Sequence, residues 1–366
     1  MFRQFACLCA AIALLHTSHT HAQSKVHAYA GFESGELQHK SSTTDGIYLM
    51  TLADPQDGTS FYATGVGGAG PETNLDTKVV GSEVVGNETV KPRKGRYFLR
   101  SAIYLNKSYL SLNHMVEDVA RSQIGFSDPV HRIDFDQEVW LGFSIFLPSN
   151  WEHETGVRHD GGAAQLLEFM AGASRSVFAL KPYVTSGSTA NWYLHLQTDD
   201  KSAEERKDSS TRVDKLDLGS VVPDLGQWTD FVIRFRINPF SVATNPAKAG
   251  IPNSVNQLFE GNKGILQLWK SEGAVDGAGN RKMVLKINKT NTPIGLVPSS
   301  VEQLIVHFRI YKYGWRRNPT TVKGPVWVGF DEIRFGAALR DGTGYDDVLP
   351  SGPLIAAPAA PSLTVQ

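Results

Sequence analysis

Short runs in which apolar and polar residues alternate recur along the chain, separated by clusters of Gly, Pro, Asn and Asp. Alternation with period two marks a strand that turns one face to a core. It predicts strands over Arg96 to Leu105, Glu138 to Leu147, Ala163 to Phe169, Trp192 to Gln197, Trp228 to Ile237, Ile265 to Lys270, Met283 to Ile287, Leu304 to Tyr313 and Val326 to Phe335. Within Trp228 to Ile237, the residues Thr229, Phe231, Ile233, Phe235 and Ile237 share an apolar face. Asp230, Arg234 and Arg236 occupy the other, so this strand separates a core from solvent or a cleft. Many strands and few helical periods indicate an all-β fold: a jelly-roll sandwich of two antiparallel sheets with a concave groove.

Two connections read as long insertions. Thr198 to Leu218 is a charge run, expected to be a solvated loop, and Asn238 to Lys263 is rich in Pro, Asn, Gly and Ala. Ser41 to Lys94 is expected to wind over the surface as loops and short strands. Its GVGGAGPE run lacks the GK[ST] ending of a phosphate loop and reads as a turn. Pro350 to Gln366 reads as a Pro/Ala tail outside the fold.

At the other end Arg3 precedes an apolar run from Phe5 to Leu15, followed by a polar stretch ending at Ala22. That run is too short to span a bilayer, so residues 1–22 are expected to be a secretory signal peptide. A single domain over 23–349 follows, secreted or periplasmic, with no membrane anchor expected. Cys7 and Cys9 both lie in the leader, which leaves no thiol for catalysis or zinc in the remainder. A formal net charge of -1 gives no support to nucleic acid as a partner. Oligomeric state is open.

Candidate chemistry gathers in Leu304 to Trp315, LIVHFRIYKYGW, where strand alternation places His307, Arg309, Tyr311 and Tyr313 on one face. A phenol titrates near pH ~10, and a neighbouring guanidinium favours its phenolate. Such a face suits proton transfer on an acidic sugar, the alternative being an ordinary solvent-facing strand. His195 shares a polar face with Tyr193 and Gln197. Trp192, Trp269 and Trp315 are candidates for stacking on sugar rings, with Trp315 favoured by the adjacent Arg316 and Arg317. Glu33, Asp331 and Glu332 either hold a structural calcium ion or satisfy turn donors.

HFRIYKYGW followed by VWVGFDEIRFG, together with GFESGEL, WLGFSIFLPSNW and GQWTDFVIRFR, resembles the jelly-roll polysaccharide lyases of the heparin-lyase, glucuronan-lyase and alginate-lyase type, over Gly31 to Gly336. The resemblance implies β-elimination on a uronate-containing, anionic polysaccharide, with no cofactor required. In such a reaction the sugar carboxylate is neutralised, a base takes the C5 proton and an acid protonates the leaving oxygen. Position by position, Arg121 would bind the carboxylate and Gln123 stands where the family has Glu. Arg100 is a second candidate for the anchoring role. Gln165 matches the family Gln, but Leu167 replaces the family His, so His307 or His195 would supply that group unless tyrosine makes both transfers. Tyr311 matches the family tyrosine as general acid and base, with His307 in place of Lys and Arg309 in place of Gly. Arg309, Tyr313 and Trp315 would contact substrate. A noncatalytic carbohydrate-binding protein, or a lyase relative without activity, remains the alternative. A glycoside hydrolase ranks lower, because no E-x-D-x-x-E pattern supplies paired carboxylates.

Overall fold

The computed structural model describes residues 28–30, 32, 75–104, 119–126, 138–151, 164–171, 175–184, 190–198, 212–237, 264–291, 294, 304–313, 325–337 and 344–352. In chain order the strands are β1 (Ala28–Ala30), β2 (Leu75–Val80), β3 (Glu83–Val85), β4 (Glu88–Val90), β5 (Phe98–Tyr104), β6 (Val119–Phe126), β7 (Val139–Phe146), β8 (Gln165–Ala171), β9 (Arg175–Val184), β10 (Ala190–Thr198), β11 (Arg212–Ser220), β12 (Trp228–Arg236), β13 (Ile265–Glu272), β14 (Lys282–Thr290), β15 (Leu304–Tyr313) and β16 (Pro325–Ala337). One helical turn, α1 (Tyr345–Val348), follows them. An 8-stranded sheet has the order β14-β13-β12-β7-β16-β5-β2 with β1 added to β16, and a 6-stranded sheet has the order β11-β10-β9-β8-β15-β6. The fold is thus an all-β sandwich of antiparallel sheets, as the alternation predicts. β15 inserts between β6 and β8, which lie far from it in the chain, and so gathers three distant segments into one surface.

Facing aromatic side chains fill the space between the sheets. Phe143 of β7 meets Phe308 of β15 edge to face at 5.3 Å, and Phe235 of β12 meets Phe169 of β8 in the same manner at 4.7 Å. Val306, Phe308 and Ile310 are all buried in this core, which turns His307 and Arg309 to the opposite face of the smaller sheet. Asp224 clasps the layers together. Its carboxylate accepts hydrogen bonds from Trp192 Nε1 of the smaller sheet and Lys270 Nζ of the larger, both at 2.8 Å, and pairs with Arg281 Nη1 at 2.7 Å.

Every residue of β7 is buried, on both faces. Its outer face is covered by α1, and a Cβ built on Gly142 would lie 1.6 Å from the Val348 carbonyl oxygen. Only glycine admits that approach. The Gly352 carbonyl accepts hydrogen bonds from Lys94 Nζ and Arg334 Nη2, so the packed chain extends past the expected boundary at Leu349.

Several strands escaped the alternation. β11 begins inside the Thr198 to Leu218 charge run and ends just past it; Leu218 is buried in the core and Leu216 packs against it, hidden among Asp214, Lys215 and Asp217. β9 is an interior strand although it carries Pro182, which removes a ladder donor and argues against a central strand. β2, β3 and β4 fall within the stretch expected to hold loops and short strands. Residues 1–22, the Asn238 to Lys263 insertion, Glu33 and Trp315 lie outside the described residues. Among the described residues no helix is long and apolar enough to cross a membrane.

Candidate functional site

Pairing register places the sequence-predicted residues in rows across the smaller sheet. Tyr311 of β15 stands opposite Arg121 of β6 on one side and Gln165 of β8 on the other. Arg309 stands opposite Gln123, and His307 lies between Gly125 and Glu168. Directly opposed residues share a face, so segments separated by more than a hundred residues converge on one surface. The row through His307 and Glu168 continues over Ala179 of β9 to His195 of β10 and Lys215 of β11. Tyr313 is paired with Val119 at the end of the same strand.

Glu168, Lys181, His195, His307 and Arg309 are buried on this face, whereas Gln165 and Tyr183 are half-buried and Lys215 is exposed. Arg309 Nη2 donates to Gln165 Oε1 at 2.5 Å and to Glu168 Oε2, making a compact guanidinium, amide and carboxylate group. Farther along the sheet, Tyr183 packs edge to face on Tyr193 and on His195, and Lys215 Nζ lies 4.9 Å from the Tyr183 ring centroid. The face therefore combines cations, imidazoles and phenol rings around one deeply placed carboxylate.

Several expectations change. Leu167 is fully buried in the core, so the position matched to the family His does not reach this face at all. The register of β15 on β8 shifts between Phe308 and Tyr311, and this irregularity lets Gln165 and Glu168, three residues apart, both reach Arg309. Glu168 thus occupies the place that strict alternation gives to residue 167. Arg309 is engaged by protein partners, contrary to a simple role as a substrate ligand. Arg100 belongs to the other sheet: on β5 its Nε pairs with Glu83 at 3.0 Å and its guanidinium lies 5.8 Å from the Trp327 ring centroid. Trp327 and Phe98 form a separate apolar cluster on the outer face of the larger sheet, which excludes Arg100 from the row of Arg121. Trp192 and Trp269 are likewise packing residues, Trp192 in the core and Trp269 stacked on Trp140 at 5.9 Å.

Glu168, Lys181 and Tyr183 were missed by sequence reasoning. The one available signal was Glu168 itself, a lone charge inside the apolar run LLEFM.

A second charged group lies on the outer face of the larger sheet. Asp230 accepts two hydrogen bonds from the Arg93 guanidinium, at 3.1 and 3.0 Å, and one from Ser144 Oγ at 2.7 Å. Burial lowers the Arg93 pKa, but the hydrogen bond and charge of Asp230 more than offset it and hold the guanidinium above its ordinary value. Asp331 accepts from the backbone N–H groups of Arg93, Lys94 and Glu332. Burial, then the charge of Glu332, pushes Asp331 well above the usual carboxylate range against those hydrogen bonds. Glu332 holds a left-handed backbone at φ 50 and accepts from Arg334 Nη2 at 2.5 Å. Of the two alternatives for these residues, a calcium ion or turn donors, Asp331 meets backbone donors and Glu332 meets an arginine. Among the described residues no group of three acidic or histidine side chains is placed to hold a metal.

The fold defines the chain as an antiparallel β-sandwich with a polar, ionisable face on its smaller sheet. Searches find no family model that matches the chain and no curated protein similar to it in sequence. Among solved structures it is similar to an endo-β-1,4-glucuronan lyase from the fungus Trichoderma reesei, at 13% identity and TM-score 0.48, over 77% of this chain and 92% of that one. It is also similar to a variant of alginate lyase Aly36B in complex with alginate trisaccharide (11% identity, TM-score 0.41, 85% and 98% covered) and to a GH131 β-glucanase catalytic domain from Podospora anserina (12% identity, TM-score 0.36, 70% and 76% covered).

Proposed function

We propose that the chain is an exported polysaccharide lyase that cleaves a uronate-containing, anionic polysaccharide by β-elimination. One observation carries this reading: the cross-strand row Arg121, Tyr311, Gln165, flanked by His307 and Arg309. Each step of an elimination needs one of these residue types. Arg121 binds the sugar carboxylate through a bidentate fork, and the Gln165 amide donates to the same group, which makes the C5 proton removable. Tyr311 takes that proton and returns one to the departing glycosidic oxygen. His307, one strand step away, is the second proton carrier of the face. Leu167 has no part in this scheme, since it belongs to the core.

Wild-type protein mixed with alginate, glucuronan and heparin should release products that absorb in the ultraviolet through the conjugated double bond of an unsaturated uronate. Reducing ends without that absorbance would establish a hydrolase instead, and binding without either would establish a carbohydrate-binding protein. Tyr311→Phe should lower kcat by about 10²- to 10⁴-fold, the usual range for losing a general acid or base. Retained turnover in that variant would remove Tyr311 from its role.

A further inference from the structure

Glu168 is the feature that the elimination scheme leaves unexplained. A buried carboxylate in the middle of a face meant for a polyanion repels substrate, and its desolvation is costly unless it is paired and hydrogen-bonded. It is paired. Its Oε2 accepts from Arg309 Nη2, and the same nitrogen donates to Gln165 Oε1 at 2.5 Å. A guanidinium can only donate, so the Gln165 carbonyl oxygen must face Arg309 and its NH₂ group must face away. That choice matters. A glutamine free to rotate presents either an acceptor or a donor, and only the donor stabilises a sugar carboxylate that gains enolate character.

Resting on the function proposed above, we infer that Glu168 is a positioning residue: it anchors and neutralises Arg309, which fixes the Gln165 amide with its NH₂ toward the Arg121 and Tyr311 row. Arg309 is accordingly the middle member of a relay rather than a ligand of substrate. The relay also explains the shifted register between Phe308 and Tyr311, because regular alternation would not present both Gln165 and Glu168 to one guanidinium. Neutralising Arg309 has a second effect. It keeps a surplus cation from capturing the substrate carboxylate one row away from Tyr311, where binding would be unproductive.

Glu168→Gln and Gln165→Glu test the relay. Glu168→Gln should lower kcat by about 10- to 100-fold, the range for outer partners that orient a reacting group, with KM changed much less. Combining it with Arg309→Gln should cost no more than Arg309→Gln alone, because both act through the same amide. Gln165→Glu keeps an acceptor for Arg309 and so keeps the fold, but it removes the NH₂ donor and should abolish product formation from acidic polymers. Unchanged kcat in Glu168→Gln, or activity in Gln165→Glu, would overturn the relay. A readout without turnover separates this inference from the function it rests on. The Gln165 side-chain amide resonances, assigned by their loss in Gln165→Glu, should shift in Glu168→Gln. Unmoved resonances overturn the relay even if the protein is a lyase, whereas shifted resonances without unsaturated product overturn the lyase reading and leave the relay standing.

Discussion

The two faces that the sandwich turns away from its core both bury charge, yet they arrange it differently. On the larger sheet, Asp230, Asp331 and Glu332 each meet a specific set of protein donors: the Arg93 fork, backbone N–H groups and Arg334. Segment 91–97 and the chain around Gly352 lie across this face and are fastened by it. On the smaller sheet, Glu168 is a buried carboxylate among Arg309, Lys181, His195, His307 and tyrosines, while Asp217, opposite Tyr193, is exposed. Matched charges bridging separate segments serve folding. On the function proposed above, cations and proton carriers on regular strands would serve an anionic ligand.

Breaking the matched face should produce the larger effect on stability. Asp230→Ala leaves the Arg93 guanidinium and Ser144 without their shared partner in a buried setting. Loss of one member of a buried pair costs about 3–5 kcal/mol, so chemical denaturation should show a marked loss of stability. Protein that remains folded should keep its kcat. A variant that is stable but inactive would reverse the roles of the two faces.

The opposite pattern is expected on the smaller sheet. Arg121→Ala removes a charge-assisted contact worth about 1.5–3 kcal/mol, which corresponds to roughly a 10- to 100-fold weaker interaction with alginate or glucuronan. Melting temperature and affinity for a neutral glucan should barely move. Equal losses on acidic and neutral polymers would show that Arg121 does not recognise a carboxylate.

This contrast was only partly legible in the chain. Strand alternation identified β15 and the shared side of His307, Arg309 and Tyr311, because period two depends on local pattern alone. Both ends of the Arg121, Tyr311 and Gln165 row came from the family resemblance rather than from alternation, and their adjacency is a matter of pairing register. What alternation concealed followed from departures from regularity. A register shift moved Glu168 to the face and left Leu167 in the core, and Pro182 disguised an interior strand. Arg100 was misplaced for a different reason: an alternating strand does not reveal which of two sheets it joins, and β5 joined the larger. For Asp331 and Glu332 the choice between a calcium ion and turn donors stayed open, because their partners are the backbone N–H groups of Arg93 and Lys94, far away in sequence, and the side chain of Arg334.

The smallest expected effect concerns Asp331 and is visible only as a slope. Burial and the neighbouring Glu332 raise its pKa in the folded protein above the unfolded value of about 3.9. The folded state therefore binds this proton more tightly than the unfolded chain does. The stability that the group contributes is complete below the unfolded pKa and is lost as pH rises through the higher folded one. Asp331→Asn cannot titrate. It forfeits one acceptor for the N–H groups of Arg93, Lys94 and Glu332, a penalty that is the same at every pH. Wild type should consequently exceed the variant most in acid, and the difference in unfolding free energy should shrink toward neutral pH in urea titrations. A difference that grows with pH would mean that the three N–H groups and the nearby guanidinium groups prevail over burial. Asp331 would then be a stabilised anion, and the two faces would differ less in how they hold their carboxylates than their partners suggest.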